Sequence, residues 1–451
     1  MADTVAALSS GLVPSGVAVI RVSGPQVRFA LERIAGGVSD ARLATLRPFR
    51  DPDTGRVLDK GLLLFFPKPN SFTGEDVAEF HCHGGRAVVG ALLQALWSLE
   101  GVRPAEAGDF TRQAFASGKL DLTQVEAIGD LIHASTALQL DQALDQLGGG
   151  AGRKLMVWKE AIADARAMVE ADLDFSDEDD VPGSVIDSLP EQLKAIVAEM
   201  DDELSSFVAE RLRDGFRVVL AGAPNSGKST LLNALLEREA ALVSPIAGTT
   251  RDQIDVPIDL EGLPVILTDT AGLRAHDETD DDVESMGIER AKLAVERADC
   301  VLWLLGGDSN SVLNKGGLES KTIRVRSKSD LLPELDIEKG DAAVVVSGKT
   351  GEGLSVLKSA IADTLRMEHG LSDITKAGIG RLALDARRRV ALQSARGHLE
   401  AGLARLEHGA WSLDHSAEEL RLAQRALGSI TGDVDAEQLL DRVFSRFCIG
   451  K

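Results

Sequence analysis

The stretch Gly222-Ala223-Pro224-Asn225-Ser226-Gly227-Lys228-Ser229-Thr230 has the residue types and spacing that hold a phosphate chain. Glycines at both ends let the loop turn its backbone N–H groups inward at the mouth of a helix, whose dipole also favours an anion. Lys228 adds a full charge at the outer phosphates, and the hydroxyl of Ser229 suits a magnesium ion. Asp269-Thr270-Ala271-Gly272 aims a second oxygen ligand at that ion and offers a glycine N–H that can sense a γ-phosphate. Between the two lies Ala247-Gly248-Thr249-Thr250-Arg251-Asp252, where Thr250 completes the magnesium shell only if its loop closes. Further on, Ser327-Lys328-Ser329-Asp330 and Ser347-Gly348-Lys349 stand where a base is read. Asp330 can accept from the N1 and N2 hydrogens of guanine, which adenine does not present. GTPases usually carry Asn where this chain has Ser327, and the shorter reach of a hydroxyl predicts weaker guanine binding with the discrimination left to Asp330.

Four of these groups sit at the ends of apolar runs that read as buried strands, residues 217–221, 264–268, 322–326 and 342–346, and 300–305 reads as a further such strand. A helix is expected from 230 to 236, so strand, glycine turn and helix follow in the order a phosphate loop needs. The rest of the chain must carry this unit. At 451 residues and 44% apolar content it is long enough for two to four cores. No apolar run spans a bilayer, Met1-Ala2-Asp3-Thr4 lacks the basic start of a signal peptide, and a cytoplasmic protein without membrane contact is expected. Cys82, Cys300 and Cys448 are too few for a disulfide framework, and Cys300 reads as core. A net charge of −22 argues against coating nucleic acid non-specifically, although Arg387-Arg388-Arg389 is a candidate basic patch.

Residues 1–118 read as one α+β unit, with strands at 17–22, 62–66 and 77–83 and helices at 25–35 and 86–99. Arg21, inside the first strand, needs an anionic partner, either a ligand or an internal pair with Glu75 or Glu79. His81-Cys82-His83 invites a zinc reading, but no further ligand cluster follows. Helical patterns cover 120–147, 153–173 and 189–213, then resume after 381. The phosphate-loop unit, closed by a helix from 354 to 367, is therefore expected as an insertion in a helical domain.

Taken with Ile20-Arg21-Val22-Ser23-Gly24-Pro25, Ser71-Phe72-Thr73-Gly74-Glu75-Asp76-Val77, His81-Cys82-His83-Gly84-Gly85, Gly118-Lys119-Leu120-Asp121-Leu122-Thr123-Gln124 and the terminal Phe447-Cys448-Ile449-Gly450-Lys451, these motifs resemble the MnmE (TrmE) family of tRNA modification GTPases over essentially the whole chain. The resemblance implies a multidomain α/β and α fold. Its parts are an N-terminal α+β folate-binding and dimerisation domain at 1–118, a helical domain in two halves at 119–213 and 369–451, and an inserted Ras-like P-loop GTPase domain at 214–368. It also implies a homodimer, and a heterotetramer with MnmG (GidA), which carries FAD and uses NADH. Together they add an aminomethyl or carboxymethylaminomethyl group to carbon 5 of the wobble uridine of certain tRNAs. The one-carbon unit comes from 5-formyl- or methylene-tetrahydrofolate. Folate contacts carry over to Arg21, Glu79, Lys119 and Lys451. The family's usual loop before the first strand is replaced here by Ser9-Ser10-Gly11-Leu12-Val13-Pro14-Ser15-Gly16, so contacts from that loop do not transfer. The fourth-from-last cysteine also suggests prenylation, which Gly450 and Lys451 fit badly.

Ras-like enzymes orient water with a Gln after the Asp-x-x-Gly, where this chain has Leu273, which cannot hydrogen-bond. The resemblance assigns that work to Glu284. It also implies a potassium ion held by Asn225, Ser244, Ile246 and Thr249, within the loop Ser244-Pro245-Ile246-Ala247-Gly248-Thr249 that closes as two GTPase domains meet. Two other classes stay open: a ribosome-assembly switch, which would not bind reduced folate, and a membrane-remodelling GTPase, which would sediment with liposomes.

Overall fold

A computed structural model of the chain describes residues 3–174, 188–223, 225–237, 255–269, 293–305, 320–331, 343–371, 381–407, 413–433, 443–444, 447 and 449–450. They divide into two units, one of residues 1–129, 146–197 and 390–451 and one of 130–145 and 198–389.

In the first unit, β1 (Thr4–Leu8), β2 (Ser15–Ser23), β3 (Thr45–Arg50), β4 (Val57–Phe66), β5 (Val77–Gly84) and β6 (Val102–Pro104) form one sheet in the order β3-β4-β5-β2-β1-β6. Side chains alternate across a strand, so one face is apolar. Ile20 and Val22, Ala78 and Phe80, and Leu63 and Phe65 bury that face beneath α1 (Val27–Ala35) and α2 (Arg86–Trp97). Arg21 and Glu79 occupy the other face, directly opposite each other in the β2–β5 register. The short helix α3 (Asp109–Ala116) and the strands β1, β3 and β6 lie outside the sequence expectation, being too short or too irregular in pattern to announce themselves.

The single helix expected over 120–147 is two, α4 (Leu122–His133) and α5 (Ala137–Leu147). The break is chemical. Thr136 accepts from the Gln139 backbone N–H at 3.2 Å while the Gln139 side chain accepts from the Thr136 N–H at 3.3 Å, a reciprocal cap that starts a new helix. Asp121 and Gln124 cap α4 in the same way. The third helix is likewise divided, into α7 (Leu189–Ser205) and α8 (Val208–Asp214), whereas α6 (Gly150–Asp174) runs unbroken. Trp158 of α6 is fully buried, and Gln424 of the helix Leu413–Thr431 donates to the carbonyl of Lys159 at 3.2 Å.

The second unit is built on β7 (Phe216–Gly222), β8 (Asp255–Leu260), β9 (Leu263–Asp269), β10 (Cys300–Leu305), β11 (Thr322–Arg326) and β12 (Val344–Val345), ordered β12-β11-β10-β7-β9-β8. Only β8 is antiparallel to its neighbour. Leu231 and Leu235 of α9 (Lys228–Glu237) and Leu357 and Ile361 of the helix Leu354–Glu368 pack into its core. Parallel strands buried in this way read as continuous apolar runs, which is why they were legible. The chain fills the β9 side of β7 first and then crosses to β10, so the sheet changes direction beside β7, where ligands of such sheets bind at the strand C-termini.

Asp299, just before β10, accepts the Arg217 N–H at 2.8 Å and the Arg211 Nε at 3.2 Å, and His369 Nε2 lies 3.5 Å away. One carboxylate thus ties the start of β7 to Arg211 of α8. The candidate basic patch is not one. Arg388 is buried and donates to the carbonyl of Ala383, while Arg389 donates to Leu204 and Glu210 and stacks on Phe207.

Candidate functional site

Gly222 ends β7 with φ 143°, and a Cβ there would lie 2.5 Å from the carbonyl oxygen of Leu304, so only glycine lets β7 leave the sheet beside β10. The turn continues through Asn225 at φ 60° to Gly227 at φ 95°, and α9 begins at Lys228. Lys228 is buried, its ammonium donating to the carbonyls of Gly222 at 3.2 Å and Ala223 at 2.8 Å, so the charge is held at the mouth of the loop. In the next residue, Ser229 Oγ donates to Asp269 Oδ2 at 2.8 Å. The start of α9 and the end of β9 thus put a hydroxyl and a buried carboxylate in contact, a pair of hard oxygen ligands that fits magnesium. The Ser226 hydroxyl is buried without a hydrogen-bond partner among the described residues, a polar group that a bound phosphate chain could meet.

The 327–330 and 347–349 segments close on this loop. Ser327 Oγ donates to the carbonyl of Ser226, and Lys328 Nζ donates to the carbonyl of Asn225 at 2.8 Å. Asp330 Oδ1 accepts from Ser347 Oγ at 2.7 Å, and Ser347 in turn accepts from the N–H groups of Lys349 and Thr350. Gly348 passes so near α9 that a Cβ there would sit 3.1 Å from Thr230. The hydroxyl of Ser327 therefore holds the loop of residues 222–230, and Ser347 orients the Asp330 carboxylate. The register of β11 and β12 makes this possible, since Ser329 N–H bonds the Val346 carbonyl at 3.1 Å. Of the other nucleotide-site residues expected, Ser244, Pro245, Ile246, Ala247, Gly248, Thr249, Thr250, Thr270, Ala271, Gly272 and Glu284 lie outside the described residues.

A second site lies in the N-terminal sheet. Arg21 Nη2 and Nε donate to Glu79 Oε1 at 2.9 and 3.1 Å, the internal pair among the two readings of that arginine. The pair borders a cavity of about 340 Å³ lined also by Arg42, Phe66, Asn70, Ser71, Phe72 and Val77. The Arg21 guanidinium lies 5.7 Å from the Phe72 ring centroid and 5.6 Å from that of Phe110. The loop that bears Phe72 is fixed from several sides: Ser23 and Thr73 share a buried hydrogen bond of 2.7 Å, and Asp76 accepts from Lys68 N–H and Arg28 Nε, both at 2.8 Å. Lys119 is exposed and does not line the cavity. Its Cε lies 3.6 Å from where a Gly74 Cβ would stand, beside the same loop. Lys451 and Cys448 lie outside the described residues, but the chain next to them is placed. Ile449 bridges Ala107, and Ser9 Oγ donates to the Gly450 carbonyl at 2.9 Å. Ser10 accepts from the Val19 N–H, so the two serines of the altered loop serve as tethers.

The His-Cys-His run does not assemble a metal site. Asp59 engages His83 at 2.8 Å and Glu79 faces His81 at 3.3 Å, and the described residues hold no group of three such ligands. Burial, with the Asp59 charge adding to it, pushes the Cys82 thiol up to about 11, so it stays protonated at neutral pH. Sequence reasoning missed Arg42, which lies in an irregular connection with no motif around it. The reciprocal cap at Thr136 and Gln139 was readable from its spacing.

A family model described as the MnmE helical domain matches residues 122–448, and one described as the GTP-binding protein TrmE N-terminus matches residues 4–119. The chain is 46% identical over 452 residues to the tRNA modification GTPase MnmE of Mesorhizobium japonicum, covering 100% of this chain and 99% of that protein. To the tRNA modification GTPase MnmE of Brucella anthropi it is 45% identical over 456 residues, covering 100% and 98%. Among solved structures, the G domain of the T. maritima FeoB iron transporter is 25% identical, with a TM-score of 0.24, covering 33% of this chain and 98% of that one. The Aquifex aeolicus Era structure with GDP and AlF4 is also 25% identical, with a TM-score of 0.26, covering 40% and 66%.

Proposed function

The chain belongs to the MnmE family of tRNA modification GTPases, and from that premise we propose that it adds an aminomethyl or carboxymethylaminomethyl group to carbon 5 of the wobble uridine of certain tRNAs. It is a GTP hydrolase, yielding GDP and phosphate, that takes part in tRNA modification, and it binds its nucleotide with magnesium. In the proposal it works in the cytoplasm as a homodimer joined to an MnmG partner that carries FAD. Residues 1–118 hold the folate, 214–368 the nucleotide, and 119–213 with 369–451 the helical domain. Among the described residues no helix is long and apolar enough to cross a membrane.

The single observation that carries the one-carbon reading is the Arg21–Glu79 pair at the edge of the cavity. Oε1 of Glu79 holds the arginine, and the carboxylate's further lone pairs can accept from the amino and ring N–H groups of a pterin. The rings of Phe66 and Phe72 offer walls for a planar ligand. Lys119 and the terminal Lys451 are the cations for the ligand's carboxylates. The folate, when bound, supplies the one-carbon unit.

At the nucleotide site, Lys228 and the loop N–H groups hold the phosphates, Ser229 and Thr250 ligate magnesium, and Asp330 reads guanine. Magnesium, when bound, neutralises charge on the outer phosphates, and potassium at Asn225, Ser244, Ile246 and Thr249 adds to it. Glu284 orients the attacking water and takes its proton as the new oxygen bond to the γ-phosphorus forms and GDP leaves. The proposal is tested by mass spectrometry of tRNA nucleosides from cells lacking this protein. The carbon-5 substituent of the wobble uridine should disappear and return when the chain is restored. An unchanged nucleoside profile overturns the reading.

A further inference from the structure

Arg42 stands between α1 and β3 in a left-handed conformation, φ 63°, which few non-glycine residues adopt. Its backbone is pinned to the end of β4: the Arg42 N–H donates to the Phe65 carbonyl at 2.8 Å, and Ala41 bridges Phe65. From this fixed base the guanidinium reaches the cavity wall, where it donates to the carbonyl of Asn70 and lies 5.6 Å from the Phe66 ring centroid. Among the described residues it meets no carboxylate. The two arginines of the cavity therefore differ. Arg21 is neutralised by Glu79, the one carboxylate in the lining, whereas Arg42 keeps its charge. The lining carries one net positive charge, located at the Arg42 end and next to an aromatic ring.

We propose that Arg42 is a second ligand-binding residue of this cavity, which takes a carboxylate of the ligand while the Arg21–Glu79 pair takes its heteroaromatic ring. This rests on the reduced-folate reading of the cavity and deepens it. A guanidinium already held at one N–H edge by the Asn70 carbonyl retains further donors in a fixed plane, so it presents them to an anion at small conformational cost. A neutral ligand of the same shape would leave that charge unmatched.

The test is calorimetry on the full-length chain with 5-formyltetrahydrofolate and with its bis-amide, which keeps the ring and loses both negative charges. Arg42→Ala is expected to weaken the folate by about ten- to a hundredfold, the size of a lost charge-assisted hydrogen bond, and to leave the amide's affinity unchanged. Arg42→Lys keeps the charge without the planar fork and should fall between the two. Equal weakening of both ligands would mean that Arg42 only props the 68–71 loop, and would overturn the proposal. So would unchanged folate affinity in Arg42→Ala. Circular dichroism of each variant separates loss of binding from loss of fold, and Arg42→Lys supplies the comparison if the alanine variant does not fold. A wild-type chain that binds neither compound removes the folate reading itself and this proposal with it. Wild-type folate binding with an indifferent Arg42 removes the proposal alone.

Discussion

In the proposed reading, base recognition rests on a few polar atoms. Asp330 is held by the Ser347 hydroxyl at 2.7 Å, which leaves its remaining lone pairs to two guanine donors. Adenine would leave those acceptors unpaired, at about 1–3 kcal/mol each. Asp330→Asn is therefore expected to reduce the preference for GTP over ATP by about ten- to a hundredfold, measured as a ratio of Kd values. A variant with full preference would sink the assignment. The Ser327 hydroxyl bonds the Ser226 carbonyl of the phosphate loop. Together with Lys328 on Asn225, it links the 327–330 segment to the loop of residues 222–230 through the backbone.

Among the elements, the helix Ala386–Glu407 shows how a charge at a helix start becomes a pH dependence. Asp385 accepts the Arg388 N–H at 2.7 Å. Burial pushes the Asp385 carboxyl up, but that hydrogen bond and the charges of Arg388, Arg387 and Arg213 outweigh it and hold it below the usual carboxylate range. A carboxyl with a lowered folded value stabilises fully above its unfolded pKa, near 4, and loses the contribution as pH falls through the folded value. Asp385→Asn keeps the cap and removes the charge. The variant should be less stable at pH 7 by up to about 1 kcal/mol, and the gap should narrow at an acid pH below the unfolded value near 4. Urea unfolding followed by far-ultraviolet circular dichroism at both pH values checks this, and a gap independent of pH contradicts it.

At the scale of the whole molecule, hydrolysis is proposed to switch on when two GTPase domains pair. Leu273 cannot position water, so in the proposal turnover depends on Glu284 and on potassium held by Asn225 and the 244–249 loop. Potassium should raise the rate far more than sodium, and domain pairing should accompany the rise. Glu284→Ala should lower kcat while leaving nucleotide affinity nearly intact, as for a group needed mainly in the transition state. Arg251 and Arg274 are the rival cations. Equal rates in the two salts, with activity lost in Arg251→Ala or Arg274→Ala, would replace the ion with an internal arginine.

The phosphate-loop unit was legible because each of its motifs is contiguous in sequence. Glycines at the turns and buried parallel strands before them leave local marks, and strand order then brings Ser229 to Asp269 and Ser327 to the loop. The residues of the family motifs, Arg21 among them, could also be named from sequence. Tertiary structure alone decided what those residues touch. Arg21 had two candidate partners, and the β2–β5 register selected Glu79. Arg387, Arg388 and Arg389 looked like one basic surface, but helix packing bound Arg388 and Arg389 to separate partners. Arg42 carries no signal at all, since its role depends on a left-handed backbone pinned to a strand distant in sequence. Local patterns determine which elements form. Only pairing between distant segments determines which charges end up neutralised and which face a cavity.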